Sequence, residues 1–194
     1  MSEVLLLWIG QKEPAANLLE DVRLRVTREY DVAVRVGVAR DRPEEALDPR
    51  RGQYSSSRIL VWLNDRHGGA QRVLGLTDAD LFIPILTFVF GEAQLGGRAA
   101  VVSTARLGDA ASQVPGMPAR IALRLQKEAV HELGHTFGLL HCRDANCAMA
   151  RSPSLRHVDT KSPALCRACR ARALELSENG DVHEQEEHAN PDRR

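Results

Sequence analysis

The segment His131-Glu132-Leu133-Gly134-His135-Thr136-Phe137-Gly138-Leu139-Leu140-His141 concentrates the residue types that manage water on a metal ion. On a helix, His131 and His135 lie one turn apart, displaced by about 40° around the axis, so both imidazoles reach one zinc ion. Glu132 flanks that face, where a carboxylate can act as general base toward the metal's water. Leu133 and Phe137 point the opposite way, with Ala129 and Val130, and form a core face. His141 cannot be a third ligand on a straight helix. It would lie about 15 Å further along the axis than His131 and about 80° off the face. The chain must therefore turn back, and Gly138 stands where a left-handed helix stop permits it. A bare His-Glu-x-x-His also occurs as unrelated surface or core histidines, and it is the added Gly138 and His141 that favour a metal site.

The four cysteines of the chain, Cys142, Cys147, Cys166 and Cys169, fall within 28 residues. Cys166-Arg167-Ala168-Cys169 has the spacing of a metal-binding pair, and Cys142 with Cys147 supplies the other half of a tetrahedral thiolate set. Two disulfides or an iron–sulfur cluster would use the same residues. A closed zinc site is preferred, and with no open coordination position its role would be structural.

These groups need a scaffold, and the sequence reads as alternating strands and helices. Val4 to Ile9 is a continuous apolar run closed by Gly10, as expected of a strand buried on both faces. Pro14 to Tyr30 carries Leu18, Leu19, Val22 and Val26 near helical spacing. Asp31 to Val38 predicts a second strand, and Arg40 to Gly52, with two prolines and many charges, a loop. Ser55 to Asp65 predicts a helix opened by a serine cap. Arg72 to Leu76, Leu86 to Phe90 and Ala99 to Thr104 predict three more strands. Pro118 opens the long helix that carries His131. From Ser177 to Arg194 the chain is polar and mostly acidic, which predicts a disordered tail.

The bulk numbers agree with one ordinary globular domain: 194 residues, 43% hydrophobic and 27% charged. Twenty-six basic residues balance 26 acidic ones, so no global field draws nucleic acid or an anionic membrane. The longest apolar stretches, Val4 to Ile9 and Leu81 to Phe90, are too short for a signal-peptide core or a spanning helix. The expectation is a cytoplasmic monomer with reduced thiols and no nucleic-acid or membrane partner.

The run from His131 to His141, followed at once by Cys142, then Cys147-Ala148-Met149 and Cys166-x-x-Cys169, resembles the archaemetzincins, a cytosolic branch of the metzincin zinc peptidases. Arg51-Gly52-Gln53-Tyr54, the segment Leu76 to Phe82, Phe88-Val89-Phe90-Gly91 and Ser103-Thr104-Ala105-Arg106-Leu107 are similar to family sequence too. The resemblance covers most of residues 1–176. Sixteen residues separate Met149 from Cys166, one fewer than the family pattern implies. What the resemblance implies is an α+β fold: a mixed twisted sheet with an antiparallel edge strand, packed helices and an active-site helix. One catalytic domain over residues 1–176 would comprise an upper part, 1–138, and a lower part, 139–176, stapled by the four-cysteine zinc. Two zinc ions per chain are expected, one catalytic on His131, His135 and His141 and one structural on Cys142, Cys147, Cys166 and Cys169. Met149 would pack beneath the catalytic ion, and the strand near Leu86 to Phe90 would take an extended peptide or protein substrate by strand addition. Glu132 would be the catalytic residue of peptide hydrolysis.

Several residues carry less. Asp78 and Asp80 read as cap and backbone-binding carboxylates, Arg106 and Gln53 as structural hydrogen-bonders, and His67, His157, His183 and His188 as solvent-facing. No tyrosine follows Met149 to steady an oxyanion, the only two being Tyr30 and Tyr54, and Arg151 is the nearest substitute. Two other classes stand beside a peptidase: a catalytically silent relative that binds peptides or a partner through the same cleft, and a metal-binding regulatory module built on the cysteines. The intact Glu132 argues against the first, and the 141 residues before the cysteine cluster argue against the second.

Overall fold

The computed structural model describes residues 3–108 and 116–188. The apolar run at the start is strand β1 (Glu3–Trp8), followed by helix α1 (Leu18–Tyr30) and strand β2 (Ala33–Val38). Two short strands, β3 (Leu47–Asp48) and β4 (Gln53–Ser55), precede helix α2 (Ser56–Arg66). Then come β5 (Arg72–Thr77), β6 (Leu81–Phe82), β7 (Gly91–Ala93) and β8 (Ala99–Ser103). Three helices complete the order: α3 (Met117–Thr136), α4 (Leu155–Thr160) and α5 (Arg167–His188). The predicted serine cap is present, Ser55 Oγ accepting from the Arg58 amide at 3.5 Å.

The main sheet runs in the order β2-β1-β5-β8-β7, all parallel except for β7, which pairs antiparallel with β8 at one edge. The fold is α+β with the mixed sheet that was expected. Because β1 is central, alternate side chains enter two different cores. Val4, Leu6 and Trp8 face α1 and α3, while Leu5, Leu7 and Ile9 face α2 through Ile59, Leu60 and Leu63. That two-sided burial is why the strand reads as an unbroken apolar run instead of an alternating one.

One expectation changes. The strand predicted at Leu86–Phe90 lies further on. Of that stretch only Val89 makes a bridge, to Leu81, and the edge ladder begins at Gly91. The carbonyls of Leu86 and Thr87 are taken by the Arg51 guanidinium at 3.1 Å, and Thr87 O also accepts from Gln53 Nε2. Side chains, not a neighbouring strand, satisfy that backbone. Helix α5 runs on to His188, the glutamates and glutamine after Ser177 being good helix formers on an already started helix. Residues 189–194 lie outside the described residues.

Helix α3 lies against α1, and the contact is close enough to fix its height. Tyr30 Oη donates to the Val130 carbonyl at 2.5 Å and its ring stacks on Phe137 with centroids 4.7 Å apart. A Cβ on Gly134 would stand 2.4 Å from Met149 Sδ and 2.8 Å from Tyr30 Oη. Gly134→Ala is therefore expected to cost about 1–3 kcal/mol by overpacking, read as a lower urea midpoint at unchanged slope. A neutral result would mean the helix has room there.

Candidate active site

Helix α3 carries His131, Glu132 and His135 on one face and Ala129, Val130 and Leu133 on the buried other. It stops where the sequence requires. Gly138 has φ 89°, its amide donates to His135 O at 2.9 Å, and the Leu139 amide reaches back to Gly134 O at 3.0 Å. These are the two bonds of a Schellman stop. The reversal brings His141 beside the other two: ring centroids lie 4.7 Å apart for His131–His135, 5.3 Å for His131–His141 and 4.9 Å for His135–His141. One ring nitrogen from each falls within 4.8 Å of the others.

The donor atoms are prepared for a cation. His131 Nδ1 donates to Ala148 O at 2.9 Å and His135 Nδ1 to Leu139 O at 2.7 Å, since a carbonyl can only accept. Their protons thus sit on Nδ1, and the two Nε2 lone pairs meet 3.2 Å apart. Burial, the largest cause, pushes His131 well below the usual imidazole range, and it lowers His135 and His141 as well. Neutral imidazoles converging on one point are the ligand set of a divalent transition metal. His141 differs in one respect, because Arg151 Nε, a donor, points at its Nδ1 from 3.2 Å.

Glu132 is buried beside the histidines, and burial pushes its carboxyl well above the usual carboxylate range. Glu128 adds to that shift, Lys161 opposes it and Glu92 adds a smaller part. All four groups of the site open into a cleft of about 630 Å³ walled by Phe88, Phe90 and β7 on one side and by Arg151, Ser152 and Pro153 on the other.

Cys142, Cys147, Cys166 and Cys169 form a second cluster, their sulfurs within 4.8 Å of one another and all four cysteines free. Cys142 and Cys166 Sγ are 3.9 Å apart. That is far beyond a disulfide at about 2.05 Å and close to the roughly 3.8 Å edge of a tetrahedron with metal–sulfur bonds of about 2.3 Å. The residues present fit a closed metal site.

All eight predicted residues are thus gathered, in two groups. The secondary readings divide. Asp78 accepts from the Gln11 and Lys12 amides, and Asp80 is held by the Arg106 fork and by Gln53, so these four are structural. His157 is exposed, but His67 is half-buried with its ring edge against Trp62. The side chains of His183 and His188 lie outside the described residues.

The residues that sequence reasoning passed over are Lys161 and Glu128. Lys161 is fully buried, with Nζ 2.9 Å from Glu128 Oε1, 3.4 Å from His131 Nδ1 and 3.4 Å from Ala150 O. The Glu128 contact is an ion pair by distance, although that oxygen finds no well-angled hydrogen bond. A signal existed: Lys161 is one of three lysines in an arginine-rich chain, and Glu128 lies one turn before Glu132.

Three imidazoles and a buried carboxylate in a cleft beside an open sheet edge define a metal-dependent hydrolase. The comparisons with known proteins narrow this. The model of peptidase family M54 matches residues 9–175. The archaemetzincin of Methanopyrus kandleri is 52% identical over 127 residues, 66% of this chain and 69% of that protein. Its crystal structure superposes with a TM-score of 0.80 at 40% identity, over 91% of this chain and 96% of the other. The archaemetzincin structure from Archaeoglobus fulgidus gives a TM-score of 0.72 at 32% identity, over 88% and 99%. The chain belongs to peptidase family M54, and it is a zinc metallopeptidase.

Removing one partner of the buried pair should be costly. Lys161→Met leaves Glu128 buried and uncompensated, which is expected to cost about 3–5 kcal/mol in urea unfolding. Lys161→Met with Glu128→Gln should recover most of that loss, and a single variant as stable as the wild type would show that the pair contributes nothing.

Proposed function

We propose that this chain cleaves peptide bonds at His131, His135 and His141, which hold one zinc ion, with Glu132 as the general base. The observation that carries the reading is the convergence of three neutral imidazoles with a buried carboxylate next to an unpaired strand edge. When bound, the ion would supply a Lewis acid that polarises the scissile carbonyl and makes water a better nucleophile. Glu132 takes the proton released as water attacks and passes it to the leaving amine. The free edge of β7 offers backbone donors and acceptors to an extended peptide, whose side chains then alternate between the cleft and solvent. A silent peptide-binding relative would not need Glu132 buried among the histidines, so that alternative is not favoured.

A second zinc ion on Cys142, Cys147, Cys166 and Cys169 completes the reading, giving two per chain. Its role is to hold the segment that serves the histidines. Cys142 follows His141 directly, and its amide donates to Met149 O at 2.9 Å. Ala148, between Cys147 and Met149, supplies the carbonyl for His131. Four free thiols in a metal-ligand cluster support a reducing, cytoplasmic setting. The zero net charge supports the absence of a nucleic-acid partner, and a monomer remains the simplest assembly.

Two outcomes test this. Glu132→Gln should lower turnover on a peptide library by on the order of 10²–10⁴-fold while metal analysis still finds two zinc ions per chain, and wild-type turnover in that variant would remove Glu132 from the mechanism. Cys166→Ser, remote in sequence from the histidines, should weaken zinc affinity at the histidine cluster by roughly 10–100-fold. Cobalt titration of a variant still folded by circular dichroism reads this, and an unchanged affinity would make the two sites independent.

A further inference from the structure

Among the arginines of the described residues, Arg151 is the one that lines the cleft beside the histidines. Arg106, Arg124 and Arg170 each place a guanidinium on a carboxylate, those of Asp80, Asp159 and Glu29. Arg151 lines the cleft, is exposed, and has no carboxylate within ion-pair distance among the described residues. Its one hydrogen bond is the Nε donation to His141 Nδ1. That bond cannot survive a ligating His141. An imidazole that gives Nε2 to an ion carries its proton on Nδ1, and one that gives Nδ1 has no lone pair left there. The guanidinium is then left with all its donors at the edge of the site.

The next residue adds an independent observation. Ser152 lines the same cleft, and its Oγ is buried with no hydrogen-bond partner. A buried hydroxyl without a partner is costly, so the structure leaves a donor waiting for an acceptor. The carboxylates of the cleft cannot be that acceptor's rivals. Glu128 is matched by Lys161, and Glu92 accepts from Ser56 and Ser57. Glu132 is committed to the proton transfer. A planar guanidinium fork beside a free hydroxyl donor is suited to a planar, anionic oxygen pair, and the facing wall of Phe88 and Phe90 keeps the dielectric low.

We propose that Arg151 and Ser152 form a carboxylate-recognising subsite, so that preferred peptides carry a carboxylate within about one residue of the bond that is cut. This rests on the peptidase reading above. The carboxylate is either an acidic side chain or the peptide's own C-terminus, and the two sources share the same chemistry at the fork. Because the subsite is half open to solvent, its selectivity is set at about tenfold.

The test uses the zinc-loaded, full-length protein and matched peptide pairs: Glu against Gln at each position flanking the cleaved bond, and free acid against amide at the C-terminus. One pair should show about a tenfold ratio of kcat/KM, carried mainly by KM, and the arm that shows it names the source. Arg151→Gln should bring that ratio close to one, Arg151→Lys should retain part of it, and Arg151→Glu should invert it. Ser152→Ala should reduce it about threefold, the worth of one modest hydrogen bond. Zinc content of each variant, measured alongside, shows that the histidine cluster is still loaded. A wild-type ratio near one in every arm overturns the proposal. So does a ratio that survives Arg151→Gln while both peptides of the pair slow equally, which would place Arg151 on the oxyanion or on His141. If the wild type cleaves no peptide, the peptidase reading fails by itself. The subsite is then decided by calorimetry of the same pairs on Glu132→Gln protein, where equal affinities for acid and amide overturn it and a tenfold difference lost in the Arg151→Gln double variant sustains it.

Discussion

The carbonyl of Ala148 ties the two clusters of this protein together. It accepts the Nδ1 proton of His131 on α3, and it belongs to the tripeptide that also contains Cys147 and Met149. Through it the tautomer of a buried imidazole depends on a loop that has no regular secondary structure of its own. A loop holds a carbonyl to within a few tenths of an ångström only if something else clamps it. Here the clamps are the amides of Cys142 on Met149 O and of Ala148 on Ala164 O, both at 2.9 Å, and Lys161 buried beneath. The arrangement resembles a keystone set between a rigid helix and a knotted loop.

That constraint explains otherwise wasteful features. A buried lysine–glutamate pair stabilises little compared with apolar packing of the same volume. Placed between α3, Ala150 and His131, it fixes how the lower segment sits against the helix. Gly134 lets Met149 and Tyr30 approach α3 from two sides at a height where any side chain would stand in the way. The helix is thus located by contacts from α1 above and from the loop below, and its imidazoles need not find their places when a metal arrives.

The cleft follows from the sheet. Of the two edges of the main sheet, β2 lies at one and the antiparallel β7 at the other, and it is β7 that lines the cleft with the histidines. The loop before it is held by Arg51 and Gln53 through carbonyls, which keeps Phe88 and Phe90 on the cleft wall instead of extending the ladder. The open edge and the aromatic wall of the cleft come from one short stretch, Leu86 to Ala93.

The histidines, Glu132, Gly138 and the four cysteines were all legible in the sequence, because metal ligation and a left-handed helix stop each demand particular residue types at fixed local spacing. The two-faced strand β1 and the capped helix α2 were legible for the same reason, their signals being contained within a few consecutive residues. The edge strand was misplaced because the pattern from Leu86 to Phe90 is that of a strand, while Arg51 and Gln53, more than thirty residues earlier, take its carbonyls. Lys161 and Glu128 were passed over because their signals, the rarity of lysine and the one-turn spacing to Glu132, say nothing of burial; only the packing of α3 against the segment around Lys161 removes both from water and leaves each as the other's partner. Local chemistry sets which atoms can bind a metal, and only the tertiary structure decides which charges are buried, since burial is a property of what lies across the interface.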